Sequence, residues 1–274
     1  MSLLPTYFVS HGGGPWPWMK EQSGSTFDRL ETSLQELARE LKEKPRAILI
    51  VTAHWEETNF TLSSGAQPGM LYDYIGFPEH TYSIQYPAPG SPELARRVQH
   101  MLQEGGVIAS LDPNRGFDHG TFTVLATAFP NADVPVVQLS LRADLDPQTH
   151  INVGHLLSPL REEGVLIIGS GLSYHNLRKF NANAVGPSQA FDHWLQQALI
   201  DSTPKEREQL LIDWEQAPSA RIAHPREDHL LPLMVVVGAS YYEPATCFYH
   251  EDFLGHIAVS SFRFGQIPLN GIHR

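Results

Sequence analysis

The stretch Ile48-Leu49-Ile50-Val51-Thr52-Ala53-His54-Trp55 constrains the fold of this chain more than any other. β-Branched and apolar residues in an unbroken run fill a buried strand. The run then breaks into His54, Trp55, Glu56 and Glu57. In open α/β sheets ligands bind beyond the carboxyl ends of the strands, so a polar residue just past such a run is well placed for chemistry. The pattern occurs twice more. Thr6-Tyr7-Phe8-Val9-Ser10 ends in His11-Gly12-Gly13-Gly14, and Val165-Leu166-Ile167-Ile168-Gly169-Ser170 runs through a short loop to His175. Strands of this kind in one sheet bring their histidines to one edge, and a metal site can be assembled there from residues far apart in the chain.

The intervening sequence supplies the helices. Phe27, Leu30, Leu34, Leu37, Ala38 and Leu41 fall on one face of an expected helix over 26–44, with Thr26 and Asp28 suited to its start. Together with the strands on either side it makes a β-α-β unit, whose crossover is expected to be right-handed. Further helices are expected from Ser91-Pro92-Glu93 to Gly105-Gly106, from a turn at His119 through Phe129, and over 147–163, 187–200, 204–214 and 230–239. Strands are expected at 135–139, 165–170 and 257–264. Residues 59–89, rich in Gly, Pro and aromatics, read as a long ordered loop with one short strand near 83–86. A chain of 274 residues with 42% hydrophobic content suits one α/β domain over 1–274. Its expected core is a central mixed, largely parallel sheet flanked by helices, with the active site at the carboxyl ends of the strands.

Charge and composition exclude several partners. Nineteen Lys and Arg against 30 Asp and Glu, a formal net charge of -11, leave no basic surface for nucleic acid. No apolar run approaches the ~20 residues that cross a bilayer, so no membrane association is expected. A single cysteine, Cys247, allows no intrachain disulfide and no thiolate cluster, and it suits a reducing cytoplasm. The three glycines after His11 lack the spacing and the lysine of a phosphate loop and fit a close backbone approach better. Trp16-Pro17-Trp18, read as an exposed stretch, hints at a homo-oligomeric interface.

The unusual feature of the composition is its 14 histidines. His80, His100, His150, His155, His193, His250, His256 and His273 have no distinguishing context and read as surface or internally satisfied residues; His224 is ambiguous. His11, His54, His119, His175 and His229 each lie at a strand exit or in a turn rich in Gly, Pro or Asp, where loops present side chains to a cleft. Position alone leaves open whether they converge on a metal, because no short metal motif such as HExxH is present.

Six segments, taken together and in order, resemble the class III extradiol ring-opening dioxygenases, most closely the DOPA dioxygenase branch. They are His11-Gly12-Gly13-Gly14-Pro15, Thr52-Ala53-His54-Trp55, Tyr86-Pro87-Ala88-Pro89-Gly90, Gly116-Phe117-Asp118-His119-Gly120, Tyr174-His175-Asn176-Leu177-Arg178 and His224-Pro225-Arg226-Glu227-Asp228-His229-Leu230-Leu231-Pro232-Leu233. The resemblance runs over nearly the whole chain and implies a single α/β domain. It implies that His11, His54 and His229 hold a metal, that His175 is either a fourth ligand or the acid/base, and that His119 is a second active-site histidine. Protocatechuate-cleaving relatives use two histidines and a glutamate; here the third position is His229, as in the DOPA branch. Three neutral imidazoles leave a divalent site at +2, which a catecholate dianion would neutralise.

The implied activity is ring opening of a catechol by O2 to a semialdehyde, with Fe(II) as the active metal. Triplet oxygen needs a metal that can share an electron with a closed-shell substrate, which iron(II) can do and zinc cannot. Divalent affinity rises from iron toward zinc, so zinc is expected to compete for the same site. His175 would act as the base and His119 would stabilise charge on oxygen or the ring. Trp16, Tyr72, Tyr74 and Phe77 are candidates for stacking on the substrate ring. Two other readings stay open: a zinc-dependent hydrolase on the same three histidines, and a non-catalytic metal-holding protein, against which the retention of both His119 and His175 argues.

Overall fold

The computed structural model describes residues 3–41 and 43–267. Strands β1 (Thr6–Ser10), β2 (Ala47–Glu57), β3 (Phe60–Ser63), β4 (Ala109–Asp112), β5 (Val136–Arg142), β6 (Val165–Gly171), β7 (Ala245–Phe253) and β8 (Ile257–Phe264) form one eight-stranded sheet in the order β4-β3-β5-β2-β6-β1-β8-β7. At its centre β5, β2, β6 and β1 run parallel. Ile48 pairs with Val136, Ala47 with Val165, and Thr6 with Ile167, each at the start of its ladder. β8 is antiparallel to β1 and to β7; on the other side β3 is antiparallel to β5 and parallel to β4. The expected mixed, largely parallel sheet is present, and the three strands that lead to His11, His54 and His175 are neighbours, with β6 between β1 and β2.

Helices cover both faces: α1 (Lys20–Ser23), α2 (Asp28–Glu40), α3 (Pro92–Glu104), α4 (His119–Ala128), α5 (Pro147–Leu157), α6 (Val185–Gln196), α7 (Pro204–Ile212), α8 (Ala220–Ala223) and α9 (Leu231–Ala239). Consecutive residues of β6 show the two faces, because side chains alternate along a strand. Gly169 faces α9, so closely that a Cβ there would lie 2.5 Å from the Pro232 carbonyl oxygen. Ser170 faces the other way, and its hydroxyl donates to the Gly120 carbonyl in α4. Beyond α9 lies α5, with Gly154 and Gly238 at the crossing; a Cβ on Gly238 would come within 2.1 Å of the Ile151 carbonyl oxygen. Ile48, Leu49, Ile50 and Val51 are wholly buried between these layers. Each such side chain contributes about 1.5–3 kcal/mol relative to exposure, so the strand that carries His54 is rigidly anchored.

The structure departs from the sequence expectations where local context outweighs pattern. β2 does not stop at His54 but continues to Glu57, with a register shift against β5 between Val51 and Glu56. The strand expected near 83–86 is absent; a 3-10 turn spans Glu79–Ser83 instead, and Pro87 and Pro89 cannot donate to a ladder. The helix over 26–44 ends at Glu40, where Leu41 turns extended. That over 147–163 ends at Leu157 and passes into a 3-10 turn, Ser158–Arg161, which contains Pro159. β3 and β4, four residues each, are too short to show a period, and edge strand β7 is too polar. Among the described residues no helix is long and apolar enough to cross a membrane.

Candidate metal centre

Three elements carry the core of the site. His11 is the first residue past β1, and Gly12 after it turns with φ +75°. A Cβ on Gly12 would lie 2.6 Å from the Trp16 indole, so only glycine fits. His54 projects from the shifted end of β2. His229 stands two residues before α9, and its carbonyl accepts from the Leu172 N–H at 3.1 Å. Gly171, the last residue of β6, makes room for that turn: a Cβ there would sit 2.1 Å from the His229 carbonyl oxygen. The three rings form a nearly equilateral triangle, with centroids 4.8 Å (His11–His54), 5.1 Å (His11–His229) and 4.9 Å (His54–His229) apart. One nitrogen from each lies within 4.8 Å of the other two. The Nε2 atoms of His11 and His54 are 3.2 Å apart.

Hydrogen bonds fix which nitrogen faces inward. His229 Nδ1 is 2.8 Å from an Asp228 carboxylate oxygen, and His54 Nδ1 is 3.3 Å from Asp73. A carboxylate only accepts, so each Nδ1 carries the proton and each Nε2 keeps its lone pair. Ser170 does the same for His11. Its hydroxyl proton goes to the Gly120 carbonyl, so its oxygen accepts from His11 Nδ1 at 3.3 Å. Burial, then the nearness of the other imidazoles, holds His11 and His229 well below the usual histidine range and brings His54 down to about 3. Near pH 7 all three are neutral. His229 Nε2 is buried without a hydrogen-bond partner, a costly state that a cation would relieve. Three buried neutral imidazoles aimed at one point fit a divalent metal.

His119 opens α4, and Asp118 caps the helix by accepting from the Thr121 N–H at 3.0 Å. Asp118 also accepts from Thr52 Oγ1 and Arg115 Nη2, both at 2.9 Å, which ties the helix start to β2. One Asp73 oxygen accepts from both the backbone N–H and Nδ1 of His119, each at 2.9 Å, while the other faces His54. Burial raises the Asp73 carboxyl, but the hydrogen bond and the charges of His119 and His54 outweigh it and hold it below the ordinary value. The His119 and His54 rings lie 4.0 Å apart. Asp73 stands in the loop region and is flanked by tyrosines; nothing in the sequence distinguishes it from a surface turn residue.

His175, held by a backbone hydrogen bond to the Ala223 carbonyl at 2.9 Å, lies flat against His229 at 3.4 Å between centroids. Its nearest ligand-type neighbours are Asp228 and His229, and it stands outside the group of His11, His54 and His229. Of the two roles expected for His175, the structure shows its ring stacked on that of His229 and grouped with His229 and Asp228. Burial lowers its pKa, with Asp228 opposing. His224 is wholly buried and donates through Nε2 to the Ser173 carbonyl at 2.9 Å, behind the His175 loop. Burial brings it down to about 4. His273 lies outside the described residues.

A cavity of about 590 Å3 opens over these histidines, with His11, His54, His119, His175 and His229 in its wall. Tyr74 and Phe77 also line it, Tyr74 with its ring 5.9 Å from His119. Trp16 and Tyr72 do not. Trp16 is buried beneath the site, where Nε1 donates to the His11 carbonyl at 2.8 Å. Tyr72 donates to the Ile84 carbonyl at 2.7 Å and braces the loop. Nor is the Trp-Pro-Trp stretch an exposed patch, since Trp16 is interior and Trp18 packs on Phe122 at 5.7 Å. The wall also contains Phe27, Phe180, Tyr249 and Phe253. In sequence they are indistinguishable from core aromatics.

Comparison with known proteins places the chain in a family. The family described as the catalytic LigB subunit of aromatic ring-opening dioxygenase matches residues 5–259. The 4,5-DOPA dioxygenase extradiol of Beta vulgaris is 36% identical over 268 residues, 96% of this chain and 97% of that one. That of Portulaca grandiflora is 40% identical over 230 residues, 82% of this chain and 84% of its own length. The crystal structure of an uncharacterized protein from Escherichia coli K12 superposes with a TM-score of 0.76 at 29% identity, covering 96% of this chain and all of the other. The chain belongs to the LigB family and, with it, to the class III extradiol, aromatic ring-opening dioxygenases.

Proposed function

We propose that the protein uses ferrous iron, held by His11, His54 and His229, to open a catechol-type ring beside the diol with O2, a reaction of the 4,5-DOPA dioxygenase type. The observation that carries this reading is the convergence of three neutral imidazoles at the floor of a cavity that two further histidines also line. Bound there, ferrous iron would supply the electron sharing that lets triplet oxygen meet a closed-shell diol. The protein's own groups do the rest. His175, kept unprotonated near pH 7 by burial, accepts a hydroxyl proton from the diol and returns it to the opening ring. His119, oriented by its Nδ1–H bond to Asp73, turns Nε2 toward the cavity, and as an imidazolium it donates from there to developing charge on oxygen. Tyr74 and Phe77 flank the ring. Membership of a ring-opening family favours this over hydrolysis by zinc on the same ligands.

The test is oxygen consumption by metal-free protein reloaded anaerobically with ferrous iron, in parallel with zinc, on a panel of catechols. The expected result is uptake with iron alone and a yellow semialdehyde product. No uptake with any catechol, together with ester or amide cleavage by the zinc form, would overturn the reading.

A further inference from the structure

We propose that the preferred substrate is a catechol bearing an uncharged, apolar substituent, and not a catechol amino acid or carboxylate. This rests on the ring-opening reading and assigns the part of the cavity that the diol does not fill. The space is the first argument. About 590 Å3 lies within the ~300–1,000 Å3 of pockets that enclose drug-sized ligands, far more than one ring requires.

Charge is the second. Among the described residues no Lys, Arg, Asp or Glu lies in the cavity wall. Arg178 and Lys179 follow Leu177 in sequence but are exposed and stay outside the wall. The carboxylates of Asp73 and Asp228 sit behind the histidines and are engaged by their N–H groups, and that of Glu251 is engaged by the Tyr249 hydroxyl. Against the wall formed by Phe27, Phe180, Phe253 and Leu254 a substituent carboxylate would find no counter-charge and would lose its water without replacement.

Hydrogen-bonding capacity is the third. Thr26 donates to the Ser23 carbonyl at 2.6 Å, Ser23 to Met19 at 3.0 Å, Tyr74 to Thr81 at 2.6 Å and Tyr249 to Glu251 at 2.9 Å. These wall hydroxyls already spend their protons on the protein. Ser10 and the backbone of Gly12–Gly14 line the cavity beside His11, and away from them the wall is an apolar surface. Phe253 meets Phe27 at 5.2 Å and Phe180 at 6.3 Å between ring centroids. Leu177 and Leu254, 73% and 50% exposed, carry that surface out to the rim.

The test measures binding as well as turnover. With the zinc-loaded protein, titration calorimetry on 4-methyl-, 4-ethyl- and 4-propylcatechol should show affinity rising about fourfold per added methylene. The carboxylate of matching length, 3-(3,4-dihydroxyphenyl)propanoate, and DOPA should bind at least about 30-fold more weakly than propylcatechol, for want of a partner. Leu254→Arg places a cation at the half-exposed rim, where folding tolerates it, and should narrow that gap at least about fivefold. With iron, kcat/KM should follow the same order. A flat alkyl series, or carboxylated catechols bound as tightly as propylcatechol, overturns the proposal. The expected binding order without oxygen uptake by the iron form upholds the apolar site and overturns the ring-opening reading instead.

Discussion

Asp73 holds two histidines at once, and its replacement separates orientation from ligation. Asp73→Asn keeps the shape but removes the charge, and its amide nitrogen cannot accept from one of the two imidazoles. Loss of such an outer partner typically lowers metal affinity or activity ~10–100-fold, and a fall in kcat of that size is expected with the fold intact. Retention of wild-type kcat and iron affinity would show that Asp73 is only a loop anchor. Trp16→Phe tests a quieter support. It removes the donor to the His11 carbonyl and is expected to lower stability by about 1 kcal/mol, read from urea denaturation, with substrate selectivity unchanged because the indole lies below the cavity. The sequence showed the five histidines because strand exits and turns mark them. It could not show Asp73, Ser170 or the work of Asp228, whose roles exist only through partners distant in the chain or through a neighbour's ring tautomer.

At the scale of elements, the strands with long apolar runs and the helices with clear starts were readable, since burial on both faces or one face writes itself into the residue pattern. Short β3 and β4 and the polar edge strand β7 were not, since pairing with neighbours, and not their own composition, makes them strands. The glycines were likewise silent in sequence, although three of them set how close α9 comes to the sheet and to α5. Gly171→Ala should force the β6 end and the His229 turn apart. The expected cost is about 1–3 kcal/mol of stability, accompanied by weaker metal binding, since His229 moves with that turn. Gly186→Ala is the control: a Cβ there meets nothing within 4 Å, so stability should hold or rise slightly. Equal effects from both substitutions would mean that the close approach at Gly171 is not what places His229.

For the whole molecule, the buried histidines outside the candidate metal centre make folding depend on pH. His150 and His224 are wholly enclosed, and burial brings both down to about 4, whereas an unfolded histidine titrates near 6.5. Their folded values are depressed, so below pH 6.5 the unfolded chain binds protons that the folded one refuses, and stability falls as pH falls. From pH 7.5 to 5.5 the two together contribute a loss of about 3 kcal/mol, against a typical total of ~5–15 kcal/mol. Urea denaturation of the metal-free protein should show at least that decline, since the depressed His11, His54 and His229 add to it, with stability nearly flat above pH 7.5. His224→Gln lowers stability at neutral pH if its Nε2 bond to Ser173 is lost, but it should also reduce the slope below pH 6.5 by about one proton. A stability profile flat from pH 7.5 to 5.5, or one whose slope is unchanged in the variant, would mean that these histidines reach solvent or carry their charge inside the fold. The neutral interior that keeps them uncharged is the same environment that leaves the imidazoles of the metal centre free to bind a cation.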